Sequence, residues 1–126
     1  MAEYRLSAPA EAQIGQILEW SQEKFGDQAR ERYAALLVAA MENVAEEPNQ
    51  ATVIWKRTSR IDLGLYHVRH SRDRVPDPPG SVGDPRHYMV VRVGADGIVD
   101  ILGFIHERML LTRALRRIAR SNREEP

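Results

Sequence analysis

Basic and imidazole side chains are the residues best suited to chemistry in this sequence, and they concentrate in its second half. Arg69 and Arg92 fall in two apolar segments with the pattern of neighbouring strands, and His106 ends a third such segment. A histidine there can act as a general acid or base, and two arginines can hold a phosphodiester. The same three residues are equally suited to gripping an acidic partner or to facing water, and a lone histidine is most often structural.

The four histidines do not have the spacing of a metal site. No HxH or HExxH motif occurs, and the chain has no cysteine to supply a thiolate. No Gly-rich phosphate loop and no nucleophile elbow is present either. We therefore expect neither a metal nor a cofactor.

Residues 111–123 predict a strongly basic amphipathic helix. At 100° per residue, Leu111, Ala114, Leu115 and Ile118 share one face and the arginines share the other. The stretch from 108 to 123 holds six arginines, the last of them Arg123, and no acidic residue. Two interpretations stay open, a face that binds a target and a solvated face of a docked helix, and both can hold together.

Trp20 lies at the edge of an apolar helical stripe, where it is either a partly exposed anchor for a partner or an edge-of-core residue. Trp55, in a weakly patterned segment, has the same two interpretations. The candidates for partner or target binding are Arg69, Arg92, His106, Arg108, Arg113, Arg116, Arg117, Arg120 and Trp20.

The 126 residues fit one domain, and the net charge of zero hides an asymmetry. Residues 1–55 hold four basic and nine acidic side chains, a net charge of −5, whereas residues 56–126 hold fourteen basic and nine acidic ones, a net charge of +5. A basic half indicates a surface for nucleic acid or for an acidic protein. The chain has no apolar signal core and no membrane-length apolar stretch, so we expect it in the cytoplasm.

Two helices are predicted in the first half, after a short strand at Tyr4–Leu6. Ser7 is a predicted N-cap, Gly26 a stop, and Asp27 a cap for the second helix, which Glu46-Glu47-Pro48 ends. The short link forces the helices into an antiparallel hairpin.

The second half has the pattern of strands. Residues 53–55 are either a short strand or a packed loop, and strands are predicted at 65–70, 87–93 and 98–106. The last is apolar on both faces, with Val99, Ile101 and Ile105 on one side, which predicts a central strand covered on each side. Residues 71–86 hold four of the seven prolines and are predicted to form a long irregular loop.

The ordered set of motifs resembles the ParE-like toxins of the RelE/ParE superfamily, which are often called plasmid stabilization proteins. The similarity is carried by the start Tyr4-Arg5-Leu6-Ser7, by Phe25-Gly26 and Glu47-Pro48, and by the ending Asp96-Gly97-Ile98…Ile101-Leu102…Ile105-His106-Glu107-Arg108-Met109. The segment 71–86 departs from the family pattern as an insertion into a short connection, and Gly64-Leu65-Tyr66 departs where many relatives carry an arginine.

This resemblance implies an α+β fold in which the helical hairpin packs on a small twisted antiparallel sheet. It implies the toxin of a type II toxin–antitoxin system, bound as a hetero-oligomer by a more acidic, ParD-like antitoxin with a ribbon-helix-helix domain that alone would contact DNA. It also implies inhibition of DNA gyrase without enzymatic activity. The alternatives are a RelE-like ribosome-dependent ribonuclease that uses Arg69, Arg92 and His106, and a degenerate, non-toxic binding module.

Overall fold

The computed structural model describes residues 2–57, 61–109 and 111–123. In chain order the elements are β1 (Tyr4–Leu6), α1 (Ala8–Phe25), α2 (Asp27–Glu46), β2 (Ile54–Arg57), β3 (Asp62–His67), a 3-10 helix (Val68–Arg74), β4 (His87–Val93), β5 (Val99–His106) and α3 (Leu111–Arg123). The strands form one sheet in the order β1-β5-β4-β3-β2. β1 runs parallel to β5, and the other neighbours are antiparallel. The predicted α+β class, with a helical hairpin on the sheet and a C-terminal helix, is confirmed.

The helical hairpin begins and turns where the sequence predicts. Ser7 Oγ accepts the Ala10 N–H at 3.2 Å and so caps α1. Gly26 joins the helices with a φ of +94°, a region that favours glycine. The predicted cap of α2 is wrong by one residue, because Gly26 holds the N-cap position and Asp27 is already helical. The Asp27 carboxylate instead accepts a hydrogen bond from Gln22 at 2.6 Å.

The sheet lies between two helical layers. The hairpin packs on one face, where Leu36, Leu37 and Val44 of α2 are buried against Met89 and Val91. α3 packs on the other face and buries two of its residues, Ala114 and Ile118, against Leu63, Leu65, Val90, Leu102 and Ile105. β5 is therefore covered on both faces, as its two apolar faces predict.

A bulge in β5 changes which side chains share a face. Val91 pairs with Ile101 but Val90 pairs with Gly103, so Leu102 is an extra residue. Strict alternation predicted Ile105 beside Val99 and Ile101, and this is wrong, because Ile105 faces α3. At Gly103 a Cβ would meet Gln13 at 2.8 Å and Ile118 at 3.0 Å, so only glycine allows α1 and α3 this close to the strand.

The strand predicted at 65–70 is displaced by three residues, since β3 covers Asp62–His67. His67 Nδ1 accepts the Arg69 N–H at 3.1 Å, which caps the 3-10 helix that follows and ends the strand. Arg69 is therefore an exposed residue of the 3-10 helix rather than a strand arginine. Residues 53–55, left open between strand and loop, lead into the edge strand β2.

The proline-rich segment 71–86 is only partly irregular, because its first four residues complete the 3-10 helix. The rest is held against the body by side chains from both sides. Arg32 Nε donates to the Pro79 carbonyl at 2.9 Å, Arg72 Nη1 donates to the Gly83 carbonyl at 3.1 Å, and Val82 packs on the core. This segment is thus a fitted part of the fold.

Candidate partner-binding surface

Arg92 lies at the end of the sheet far from His106 and is already paired. Asp100 Oδ2 accepts from Arg92 Nε at 3.0 Å, and Asp100 Oδ1 accepts from Arg5 Nε at 2.6 Å. We call these three residues the Asp100 clamp. Burial would raise the pKa of Asp100, but the bonds from Arg5 and Arg92 outweigh it, so its pKa lies below its ordinary value. The clamp ties β1 and β4 to β5.

The three residues of the ribonuclease alternative do not form one constellation. His106 pairs in register with His87, whereas Arg92 pairs with Asp100. Arg92 lies five positions after His87 on an extended strand, a distance of about 17 Å. Arg69 follows β3 near the histidine end of the sheet. Arg92 and His106 therefore cannot contact one scissile phosphate together in this arrangement.

Two strands end in the same way at the histidine end, with a His-x-Arg tripeptide. The 67–69 and 106–108 tripeptides each place a backbone N–H on the imidazole two residues earlier. The Arg69 N–H donates to His67 Nδ1, and the Arg108 N–H donates to His106 Nδ1, both at 3.1 Å. Because Nδ1 accepts in both rings, the neutral imidazoles carry their proton on Nε2.

Glu107 joins this end of β5 to the neighbouring elements. Its carboxylate accepts from His67 Nε2 at 3.0 Å and from Arg86 Nη1 at 2.7 Å. The Arg86 bond, followed by the His67 bond, lowers the pKa of Glu107 to about 2. Burial lowers the pKa of His67, so a neutral ring donates to an ionised carboxylate.

His87 is buried, and its ring faces the hydroxyl group of Tyr33. Tyr33 Oη accepts the Arg86 N–H at 3.0 Å and lies 2.6 Å from His87 Nδ1. The buried hydroxyl proton has an acceptor only if it is donated to Nδ1, so His87 also carries its proton on Nε2. Burial, aided by His106 and His67, lowers the pKa of His87 to about 4, and burial raises that of Tyr33 to about 12.

Trp20 is half-buried, as its place at the edge of the helical stripe predicts. Its ring makes edge contacts with His87 at 6.0 Å and His106 at 6.4 Å, measured between ring centroids. It also contacts Phe25, which is 69% exposed. Phe25 is the last residue of α1, at the mouth of a cavity of about 230 Å³ between the hairpin and residues 81–84.

The structure of α3 is compatible with both interpretations of residues 111–123, a docked helix and a presented basic face. Its apolar stripe is docked, and Asn122 Nδ2 donates to the Leu102 carbonyl at 2.9 Å. Its arginines are nevertheless presented to solvent. The exposed ones are Arg113, Arg116, Arg117 and Arg120, together with Arg108 just before the helix. The side chain of Arg123 lies outside the described residues.

The sequence did not indicate that Tyr33 and Arg86 belong to this surface, or that His87 lies at its centre. Tyr33 is one more apolar position of an amphipathic helix, and its partnership with His87 depends on how α2 crosses the sheet. The His-x-Arg tripeptides at 67–69 and 106–108 were the usable signal, since each begins at the last residue of a strand.

Within residues 2–57, 61–109 and 111–123, no three His, Cys, Asp or Glu side chains lie close enough together to hold a metal ion. None of the helices in that part of the chain is long and apolar enough to cross a membrane.

A helical hairpin on a mostly antiparallel sheet, with a basic helix on the opposite face, defines a small α+β protein with a charged surface at that helix. The chain belongs to the ParE toxin family, because the family model described as ParE toxin of type II toxin-antitoxin system, parDE, matches residues 4–111. It is therefore the toxin of a toxin–antitoxin pair, and the family implies an antitoxin partner. A comparison with curated protein sequences gives no match.

Proposed function

We propose that this toxin acts by binding rather than by catalysis, that its target is DNA gyrase, and that a ParD-like antitoxin with a ribbon-helix-helix domain neutralises it. The observation that carries the binding mode is α3, which is docked by Ala114 and Ile118 and turns four arginines to solvent. Exposed arginines steer and orient an acidic partner. The choice of gyrase and of a ParD-like antitoxin rests on the family.

In this proposal the toxin takes no cofactor and works in the cytoplasm as a hetero-oligomer with its antitoxin. DNA is contacted only through the antitoxin. The ribonuclease alternative gains no support from the described residues, because Arg92 is engaged by Asp100 about 17 Å from the histidines.

The experiment is expression of the chain with and without the product of its neighbouring reading frame. We expect growth arrest and loss of gyrase supercoiling without the neighbour, and recovery of both with it. Intact supercoiling together with codon-positioned cuts in cellular RNA would replace gyrase inhibition by ribonuclease activity. Normal growth without the neighbour would indicate a degenerate binding module.

Charge reversal on α3 tests the binding face. Arg116→Glu, Arg117→Glu and Arg120→Glu together should weaken partner or target binding by about 30-fold, because three steering charges change sign. The fold should stay intact, since all three side chains are exposed. Binding is measured by titration calorimetry and folding by circular dichroism.

A triple Arg→Lys variant is the matched control and should bind nearly as the parent does. If the Glu variant kept the affinity and toxicity of the parent chain, the arginine face of α3 would serve only solubility.

A further inference from the structure

We call the cavity of about 230 Å³ between the helical hairpin and residues 81–84 the hairpin cavity. Trp20, Phe25 and Tyr33 give it aromatic walls, and Ser21 and Arg32 add polar groups to the same lining. A cavity of about 150 Å³ is enough for a benzene molecule, and pockets for drug-sized ligands begin at about 300 Å³. The hairpin cavity therefore has room for one aromatic ring with a small substituent.

The wall of the cavity that faces the hairpin is held in place by hydrogen bonds. Arg32 Nε donates to the Pro79 carbonyl at 2.9 Å, and Arg72 Nη1 donates to the Gly83 carbonyl at 3.1 Å. Between these two anchors Val82 packs on the core. The cavity is therefore formed before a ligand enters, and little ordering of the chain opposes binding.

The aromatic walls favour a flat ring over an aliphatic group. The rings of Trp20 and Phe25 lie 5.8 Å apart between centroids, with an angle of 84° between their planes. A planar ligand stacked on one of these rings is perpendicular to the other, and both the stacked and the edge-to-face arrangement are favourable. Phe25 is largely exposed, so a ligand at the mouth would also remove apolar surface from water.

Two polar groups of the lining have hydrogen-bonding capacity that the protein does not use. Ser21 is 1% exposed, and its hydroxyl has no partner among the described residues. Arg32 uses Nε for Pro79, and neither of its Nη groups has a partner in that part of the chain. A buried hydroxyl is normally hydrogen-bonded, so these groups indicate a ligand with acceptor oxygens. A phenylalanine or leucine side chain inserted by a partner protein would leave both groups without an acceptor.

The charges around the hairpin cavity favour an anionic acceptor. Asp84 also belongs to the lining, but Arg86 forms an ion pair with it. Arg32 has no carboxylate partner among the described residues. Lys24 and Asp77 are exposed nearby, outside the lining. Three cations and two carboxylates thus surround the cavity, a net charge of +1, and the unpaired cation of the lining is the arginine.

The other acidic groups near this end of the hairpin are Glu19, Glu23, Asp27 and Glu31. At 100° per residue, Glu19 and Glu23 lie on the side of α1 that is away from Ser21 and Phe25. Glu31 lies on the side of α2 away from Tyr33, and Asp27 accepts from Gln22 at 2.6 Å. All four are exposed, so solvent and salt screen their repulsion of an anion in the cavity.

We propose that the hairpin cavity binds a small aromatic carboxylate. The ring lies against Trp20 and Phe25, and the carboxylate accepts from the Nη groups of Arg32 and from the hydroxyl of Ser21. The site is built by this chain alone, so its occupation needs neither gyrase nor an antitoxin.

Indole N–H resonances of the full chain test the proposal, because the two tryptophans report on different places. Trp20 lines the cavity, whereas Trp55 Nε1 donates to the carbonyl of Pro48, beyond the far end of α2. We would titrate ¹⁵N-labelled protein with benzoate, with benzyl alcohol, which keeps the ring without the charge, and with cyclohexanecarboxylate, which keeps the charge without the flat ring. Benzoate should shift the Trp20 signal saturably, with a Kd on the order of 1 mM, and should leave the Trp55 signal in place. The other two probes should bind at least about tenfold more weakly.

Three results of this titration would overturn the proposal. One is the absence of a Trp20 shift with benzoate, and another is an equal shift of both indole signals. The third is equal binding of benzoate and either control probe, which would make the cavity a site for an apolar group, such as a side chain of a partner protein, or for any carboxylate.

Arg32→Gln locates the carboxylate, because it removes the charge and keeps an amide donor for the Pro79 carbonyl. Benzoate should bind about tenfold more weakly to this variant, and benzyl alcohol should change by less than about threefold. Arg30→Gln is the matched control, since Arg30 lies on the same helix, donates to Gln22 and is outside the lining. Equal losses of benzoate affinity in the two variants would mean general attraction to α2 and would refute the site.

Ser21→Leu fills the cavity from the side of α1 and should abolish benzoate binding while the circular dichroism spectrum is kept. Ala29→Leu fills the same space from α2 and replaces it if the first variant does not fold. Benzoate binding that survives in a folded filling variant would place the ligand elsewhere on the protein and would contradict the proposal.

Discussion

We expect Asp100→Asn to lower the free energy of unfolding by about 2 kcal/mol at neutral pH, because two charge-assisted hydrogen bonds to a buried carboxylate are weakened. The Asp100 side chain is 11% exposed and accepts from both Arg5 and Arg92. Asparagine keeps the shape and one acceptor oxygen but loses the charge. Arg92 then has no carboxylate partner among the described residues. Urea denaturation followed by circular dichroism measures the loss.

Asp96→Asn is the matched control, since it removes a second carboxylate from the same arginine. Asp96 accepts from Arg5 at 2.6 Å, but both side chains are about half exposed. Solvent and salt screen such a pair, so its removal should change stability little. Equal losses in the two variants, or a stable Asp100→Asn variant, would show that the clamp does not hold β1 and β4 to β5.

The two ends of the sheet thus have different tasks. At one end Asp100 accepts hydrogen bonds from two arginines and closes a structural contact. At the other end three imidazoles accept their own backbone or a tyrosine at Nδ1 and keep Nε2–H groups. Only Nε2 of His67 is satisfied internally among the described residues, by Glu107. The other two imidazoles, of His87 and His106, line the same pocket as Ala114, Arg117 and Ile118 of α3.

Long periodic patterns predicted the fold well. The stripes of α1 and α2, the Gly26 turn and the limits of α3 at Leu111–Arg123 depend on local signals that tertiary contacts reinforce. The ends of the strands and the bulge were not predicted correctly. β3 starts before Gly64 because its pairing with β2 and β4, rather than its own pattern, fixes its ends. The bulge at Leu102 depends on the close approach of two helices to Gly103, which a period-2 pattern does not contain.

The candidate surface was predicted in part. The arginine face of α3 follows from helical periodicity alone, and the structure leaves it exposed. Trp20 and His106 come together because both lie at edges that the hairpin covers. Arg69 and Arg92 were grouped with His106 on the assumption of neighbouring strands, which ignored position along them. Sequence spacing gives the face of a strand, but only register gives the distance along the sheet.

We expect stability to fall by about 3 kcal/mol as pH falls from about 6.5 to about 4, mainly because of His87. In the folded chain burial holds the pKa of His87 at about 4, whereas an unfolded histidine titrates near its ordinary value. The unfolded chain thus binds the additional proton throughout that window, and acid favours unfolding. Above the window the stability is fully present. Below it the carboxylates Glu107 and Asp100, whose pKa values are lowered, begin to add their own loss.

His87→Gln isolates the contribution of His87 to the pH dependence of stability. The Gln oxygen can still accept a hydrogen bond from Tyr33, but the Gln side chain does not titrate. Its unfolding free energy, measured by urea at a series of pH values, should be nearly flat over that window, with a small residual slope from His67 and His70, whose pKa values are also lowered. His70→Gln is the matched control, since His70 is exposed and outside the Tyr33 contact, and it should keep most of the slope. A His87→Gln variant with the full parental slope would assign the acid sensitivity to another group.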